Sequence, residues 1–261
     1  MAPFILFLLI IVGAAWFLKR KKFSPAPEDL PKINHDFLWK EVLFYAKLTD
    51  SEQERFRKDV LDFLSAVRIT GVDTAITDGD RLLVAAGAII PIFYFPAWTY
   101  HNLEEVLIYS DQFNASFESA GNNDRMIMGM VGSGYLEGKM LLSKPALELG
   151  FKNQSDKNNT VIHEFVHLID KMDGDTDGVP ELLLQRQYVL PWVAMIHEQI
   201  KKIAAGKSDI NPYGYTKQSE FFAVVAEYFF EQPELFQTMH PQLYEMLDKM
   251  FHPSANTPSG P

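Results

Sequence analysis

The chain has 261 residues, 47% of them hydrophobic and 13% aromatic, which is enough for one substantial core. Its 34 acidic against 24 basic side chains give a formal net charge of -10, and past residue 22 no basic patch is segregated, which argues against a nucleic-acid partner. Cysteine is absent, which excludes disulfides, thiolate metal sites and a thiol nucleophile; any metal must be held by histidines and carboxylates.

The N-terminus departs from this composition. Residues 4–18, FILFLLIIVGAAWFL, are continuously apolar, and Lys19, Arg20, Lys21 and Lys22 follow directly. The run is near the short limit for crossing a hydrocarbon core. A cleaved signal peptide is the alternative, with Gly13, Ala14 and Ala15 as a small-residue cleavage site, but such a peptide carries its basic residues before the apolar run. The reading taken is one N-terminal transmembrane helix within residues 1–22, inserted through residues 4–18. The positive-inside rule then expects a single-pass protein of the inner membrane with its bulk in the cytoplasm, export being the alternative. The sequons at Asn114, Asn153 and Asn158 matter only for an exported chain.

Residues 23–34 contain three prolines and read as a tether. The folded domain is expected over 35–252, followed by a disordered tail over 253–261. From Asp50, DSEQERFRKDVLDFLSAV repeats Phe56, Val60, Phe63 and Leu64 at helical spacing behind an Asp50/Ser51 cap. From Arg81, RLLVAAGAIIPIF is apolar nearly all round, as in a buried helix stopped by Pro91. Between Leu103 and Phe151, EVLIYS from Glu105 and KMLLS from Lys139 are short and rich in strand formers, so a small sheet is expected. Gly132 and Gly134 lack the strand-to-helix context and lysine of a phosphate loop and read as a turn. Helices return from Thr160, giving a mainly helical α+β domain.

The run NNTVIHEFVHLIDKMDG, from Asn158, puts His163, Glu164 and His167 inside an apolar helix, with Asn159 or Thr160 as N-cap and Gly174 as the stop. Two imidazoles four apart share one face and can converge on one Zn2+, while Glu164, about 100° round the helix, can reach a water beside it. Such a site needs a third protein ligand. No other histidine falls in a second motif, which leaves a carboxylate from a later helix. In YGYTKQSEFFAVVAEYFFE, from Tyr213, Glu220 and Glu227 lie seven apart on nearly one face, and periodicity alone leaves both open. Thr216 or Ser219 is the expected cap of that helix.

Asp170 lies on the ligand stripe, one turn past His167, either orienting an imidazole through its second N–H or capping a loop. DGDTDG, from Asp173, starts like an EF-hand loop, but its twelfth position is Leu184, so it reads as a tight polar loop.

Several blocks in order, LTDSEQE from Leu48, EVLIY from Glu105, HEFVHLID from His163, GVP from Gly178 and FAVVAEYFF from Phe222, resemble the Mlc titration factor A type of zinc peptidases, over about Phe37 to Leu247. The chain is similar, more remotely, to the catalytic domain of anthrax lethal factor, where a Tyr also precedes a Glu in front of an aromatic-rich helix. The resemblance implies a zincin, gluzincin-like fold. It makes Glu220 the third zinc ligand, places Tyr213 near the reacting carbonyl and leaves Glu227 in support. It implies a peptide or protein substrate, Glu164 as general base and an HExxH-plus-Glu peptidase, aminopeptidases among them. The strand Met140–Ser143 is expected to offer a sheet edge on which a peptide docks. Because the family namesake sequesters a transcriptional repressor, a zinc-stabilised module that holds a regulatory protein is the alternative. A non-peptidase amide hydrolase is a third reading.

Overall fold

The computed structural model describes residues 30–96, 98–112, 128–153 and 156–253. The apolar segment 4–18, most of the 23–34 tether, the tail from 254 and Asn114 lie outside them. In chain order the helices and strands are α1 (His35–Glu41), α2 (Leu43–Ala46), α3 (Asp50–Ala66), β1 (Arg68–Val72), α4 (Asp78–Ile89), β2 (Glu105–Tyr109), β3 (Gly129–Val131), β4 (Lys139–Ser143), α5 (Lys144–Lys152), α6 (Thr160–Asp170), α7 (Arg186–Ala204), α8 (Gln218–Glu231), α9 (Pro233–Met239) and α10 (Pro241–Phe251). The mainly helical α+β expectation holds.

Local chemistry accounts for these boundaries. Helix α3 starts one residue earlier than the Asp50/Ser51 reading implied: Thr49 is its N-cap, and the Glu52 carboxylate accepts the Thr49 N–H at 2.9 Å. Helix α4 is buried along nearly its whole length and passes into a 3-10 turn, Ile90–Ile92, at Pro91. Helix α5 was not foreseen; Ser143 Oγ accepts the Ala146 N–H at 3.2 Å and Pro145 sits in the first turn, where a missing N–H costs nothing.

The four strands form one sheet in the order β1-β2-β4-β3, with β1, β2 and β4 parallel and β3 antiparallel to β4. Strand β4 is therefore internal, so the edge expected at Met140–Ser143 is corrected: both its sides are paired. The edge next to α6 belongs to β3, which sequence reading missed because three residues are too short for periodicity. Helix α6 is the hub, packed against α4, α5, α8 and β3, with Val161, Phe165, Val166 and Ile169 fully buried.

The inner-membrane localisation is also corrected. Among the described residues no helix is long and apolar enough to cross a membrane. The most apolar, α6, has 11 residues and spans about 17 Å against a core of about 30 Å, and α7, with 19, carries a solvated face of Arg186, Glu198, Lys201 and Lys202. Among the described residues, no membrane-crossing element supports the expected placement.

Asn159 is the N-cap of α6: its Oδ1 accepts the Val161 and Ile162 N–H groups, both at 3.2 Å, and its Nδ2 donates to Gly150 O at 2.9 Å. Because Asn159 is 2% exposed, its removal leaves these groups without water. Asn159→Ala is expected to lower the unfolding free energy by about 2 kcal/mol, read as a shift of the urea midpoint at constant m-value.

Candidate metal centre

The helical phase of α6 brings His163 and His167 to one face, and α8 packs against that face so that Glu220, in its first turn, meets both. The Nε2 atoms of the two histidines lie 3.1 Å apart, and Glu220 Oε2 is 3.1 Å from the first and 3.3 Å from the second. The imidazoles stand edge to face, with centroids 4.7 Å apart. Zinc bonds of about 2.1 Å in a tetrahedron separate ligand atoms by about 3.4 Å, so the triangle fits such an ion closely. Two imidazole nitrogens and one carboxylate oxygen also match its ligand chemistry. Among the described residues this is the one group of three side chains that can hold a metal ion.

Glu227 stands behind the triangle. Its Oε1 lies 2.7 Å from His163 Nδ1, and its Oε2 accepts the Asn159 N–H at 2.5 Å. With Nδ1–H given to Glu227, Nε2 of His163 presents its lone pair toward Glu220 and His167. Burial pulls the His163 pKa down, but Glu227 and Glu220 outweigh it and raise it well above its ordinary value. Burial would raise Glu220 likewise, yet His163 and His167 hold its carboxyl well below the usual carboxylate range. A site that stabilises positive charge between these groups is suited to a cation.

Glu164 points off the ligand stripe and is 5% exposed; burial, its largest influence, raises its pKa. It lies against Gly129 of β3, where an added Cβ would fall 2.7 Å from Glu164 Oε1 and 2.7 Å from Thr160 Cγ2. Only glycine lets the strand backbone come this close. Ser143 N–H bonds Met128 O, and Gly132 N–H bonds Lys139 O, each at 2.8 Å. The alternation of an antiparallel ladder therefore turns the backbone groups of Gly129 and Val131 to the outer edge, where β3 has no strand partner among the described residues. Lys171, just past α6, pins the β3–β4 hairpin by donating to Gly132 O at 3.0 Å and Glu137 Oε2 at 2.8 Å. Tyr213 is 41% exposed, and its ring centroid lies 6.1 Å from that of His163.

Asp170 does not meet a ligand imidazole. Its Oδ2 accepts the Gly178 N–H at 2.8 Å, while His167 Nδ1 is buried without a hydrogen bond. The loop it holds seats α8: Gly178, at φ +83°, lies so close that a Cβ would be 2.4 Å from Gln218 O, and Trp192 Nε1 donates to Gly178 O at 2.7 Å. Asp173 and Asp177 accept backbone N–H groups of that loop, in keeping with a polar loop. Neither Thr216 nor Ser219 caps α8; the cap position is Lys217, and Thr216 Oγ1 donates instead to Tyr213 O. Sequence reading missed Gly129, Lys171 and Asn211; an isolated glycine between Met128 and Met130 was the available signal for a close backbone approach.

Two expected outcomes follow from these contacts. Gly129→Ala should displace the Glu164 carboxylate and lower the unfolding free energy by about 1–3 kcal/mol, measured as a shift of the urea midpoint at constant m-value. Glu231, one turn past Glu227, is buried with neither oxygen in a regular hydrogen bond; burial first, then Glu227 and Asp156, push its pKa up to about 8. A carboxyl raised on folding stabilises the protein fully below its unfolded value, near 4.3, and loses that contribution as pH rises through about 8. Denaturant midpoints between pH 6 and 9 should therefore fall more steeply for the wild type than for Glu231→Gln.

The chain matches the family model described as "Glucose-regulated metallo-peptidase M90" over residues 15–252. It is 26% identical over 238 residues to Mlc titration factor A of Klebsiella pneumoniae subsp. pneumoniae, covering 85% of this chain and 88% of that one. To Mlc titration factor A of Salmonella arizonae it is 28% identical over 231 residues, 81% and 89% of the two chains. It is also 28% identical over 230 residues to the uncharacterized protein slr2042 of Synechocystis sp., covering 82% of each. A family match over residues 15–252, a span that includes the cluster of two histidines and one carboxylate, shows that this chain belongs to the glucose-regulated metallo-peptidase M90 family.

Proposed function

We propose that the protein is a zinc-dependent peptidase that hydrolyses peptide bonds with Glu164 as general base. The observation that carries this reading is the triangle of His163, His167 and Glu220 beside a buried carboxylate that belongs to neither ligand nor support. His163, His167 and Glu220 hold the ion, and Glu227 keeps the His163 Nε2 lone pair turned toward it. Zinc bound there supplies Lewis-acid polarisation of the scissile carbonyl and acidifies water.

Glu164 takes the proton of the attacking water and passes it to the leaving amine, a task helped by a pKa raised through burial. Tyr213 donates its hydroxyl to the developing oxyanion. The outward backbone groups of Gly129 and Val131 hold an extended peptide by strand addition, which moves the docking edge from β4 to β3. The aminopeptidase form of the expectation is dropped, because neither the family nor the site geometry supports it.

A second reading comes from the relatives' name, Mlc titration factor A, which favours a regulatory protein as a partner held by the folded surface. The two readings separate on one substitution. Glu164→Gln should keep about one zinc per chain yet lose peptide turnover by about a hundredfold or more, whereas capture of a regulatory protein survives it. Zinc should be lost with His163→Ala or Glu220→Ala and only weakened, by about ten- to a hundredfold in affinity, with Glu227→Ala. Full turnover by Glu164→Gln at normal zinc content removes the general-base assignment.

A further inference from the structure

Tyr213 stands on a short 3-10 turn, Pro212–Tyr215, that is exposed except at Gly214, which packs against Phe221 and Val224 of α8. Hydrogen bonds from its N-terminal flank tie the same turn to the approach to α6. The three consecutive residues before α6 each reach a different part of the site. Lys157 Nζ donates to Asp209 Oδ2 at 2.6 Å, Asn158 Oδ1 accepts from Asn211 Nδ2 at 2.6 Å, and the Asn159 N–H reaches Glu227. Asn211 then accepts the Tyr213 N–H on its Oδ1 at 3.0 Å, so one side-chain amide bridges the approach to the metal helix and the tyrosine turn.

Asp209 gathers more than a single ion pair. It also accepts the Tyr228 hydroxyl at 2.7 Å, from the α8 residue next to Glu227, and His240 Nε2 lies 2.6 Å from its Oδ1. Burial alone would raise its pKa, but Lys157, Tyr228 and His240 together hold the carboxyl well below the usual range. Lys157 takes part with a left-handed backbone, φ +65°, a conformation that a lysine keeps only where its surroundings impose it. Its ammonium also sits 4.2 Å from the centre of the Tyr228 ring.

We propose that Asp209 and Asn211 are positioning residues that, through the Lys157–Asp209 and Asn158–Asn211 contacts, hold Tyr213 at its working distance from the metal-binding histidines. This rests on the reading of Tyr213 as the oxyanion donor. Neither residue touches the reacting atoms. Both act by joining the segment that starts α6 to the segment that carries Tyr213, so that the metal and the hydroxyl move as one unit.

The test uses the zinc-loaded full chain and a quenched fluorogenic peptide taken from a random-sequence library. Asp209→Asn and Asn211→Ala should each lower kcat by about tenfold, with KM within about twofold and zinc content unchanged, and neither should lower it further on a Tyr213→Phe background. Amide exchange of residues 213–217 should accelerate while that of α6 stays as it is. Losses that multiply with Tyr213→Phe, or unchanged kcat in both variants, overturn the proposal while leaving the peptidase reading intact. Full kcat in Tyr213→Phe alone removes the oxyanion role, and this proposal with it. If Asp209→Asn does not fold, Asn211→Ala, at a half-buried position, decides the matter.

Discussion

A carboxylate that is 4% exposed must find donors or remain uncharged, and Glu227 finds two, both on the far side of the interface between α6 and α8. One is the ring of His163 and the other is the first free N–H ahead of the metal helix. That double demand leaves little freedom in how the two helices dock. Glu220 lies two turns earlier on the same stripe, about 10 Å along the axis, yet both carboxylates reach one imidazole, Glu227 at Nδ1 and Glu220 at Nε2. The docking that satisfies the buried support thus also assembles the ligand set.

The rest of the fold aligns elements on that pair. Asp170 and Gly178 close the loop after α6 against the start of α8, so the carboxylate of Glu220 is set from both ends of the metal helix. Lys171 ties the β3–β4 hairpin to the same end, and Gly129 lets the strand settle against Glu164. Gly129 of β3 and Tyr213 both stand beside the metal helix, the first against Glu164 and the second with its ring near that of His163. These segments lie far apart in sequence and are held by hydrogen bonds to main-chain groups, which tolerate little displacement.

Electrostatics explains why the site suits a cation. Glu164, Glu220, Glu227 and Glu231 crowd between α6 and α8, and among the described residues no lysine or arginine pairs with any of them. Two imidazoles and a few N–H groups are the available compensation. Burial disfavours the charged carboxylate here and raises the pKa values of Glu164 and Glu231. A divalent ion at the triangle would offset this acidic crowding and so link metal affinity to the stability of the core.

Much of this was legible before any fold was known. The spacing of His163, Glu164 and His167, the Asn159 cap and the apolar flanks define a metal-type helix, because side-chain periodicity and capping are local properties read along one element. The buried α4 and the strands at Glu105 and Lys139 were equally clear. Periodicity could not choose between Glu220 and Glu227, since both lie on one stripe, and only the docking of α8 decided which nitrogen of His163 each one meets. It could not show that β4 is internal and β3 the edge, because strand order is a non-local property. Nor could it send Asp170 to the Gly178 amide rather than to an imidazole, or join Asn158 to Asn211 across 53 residues. The sequence by itself determined which histidines and carboxylates are candidates for a metal site, and the tertiary structure decided which of them meet, since burial in a shared core sets the partners that each polar group must find.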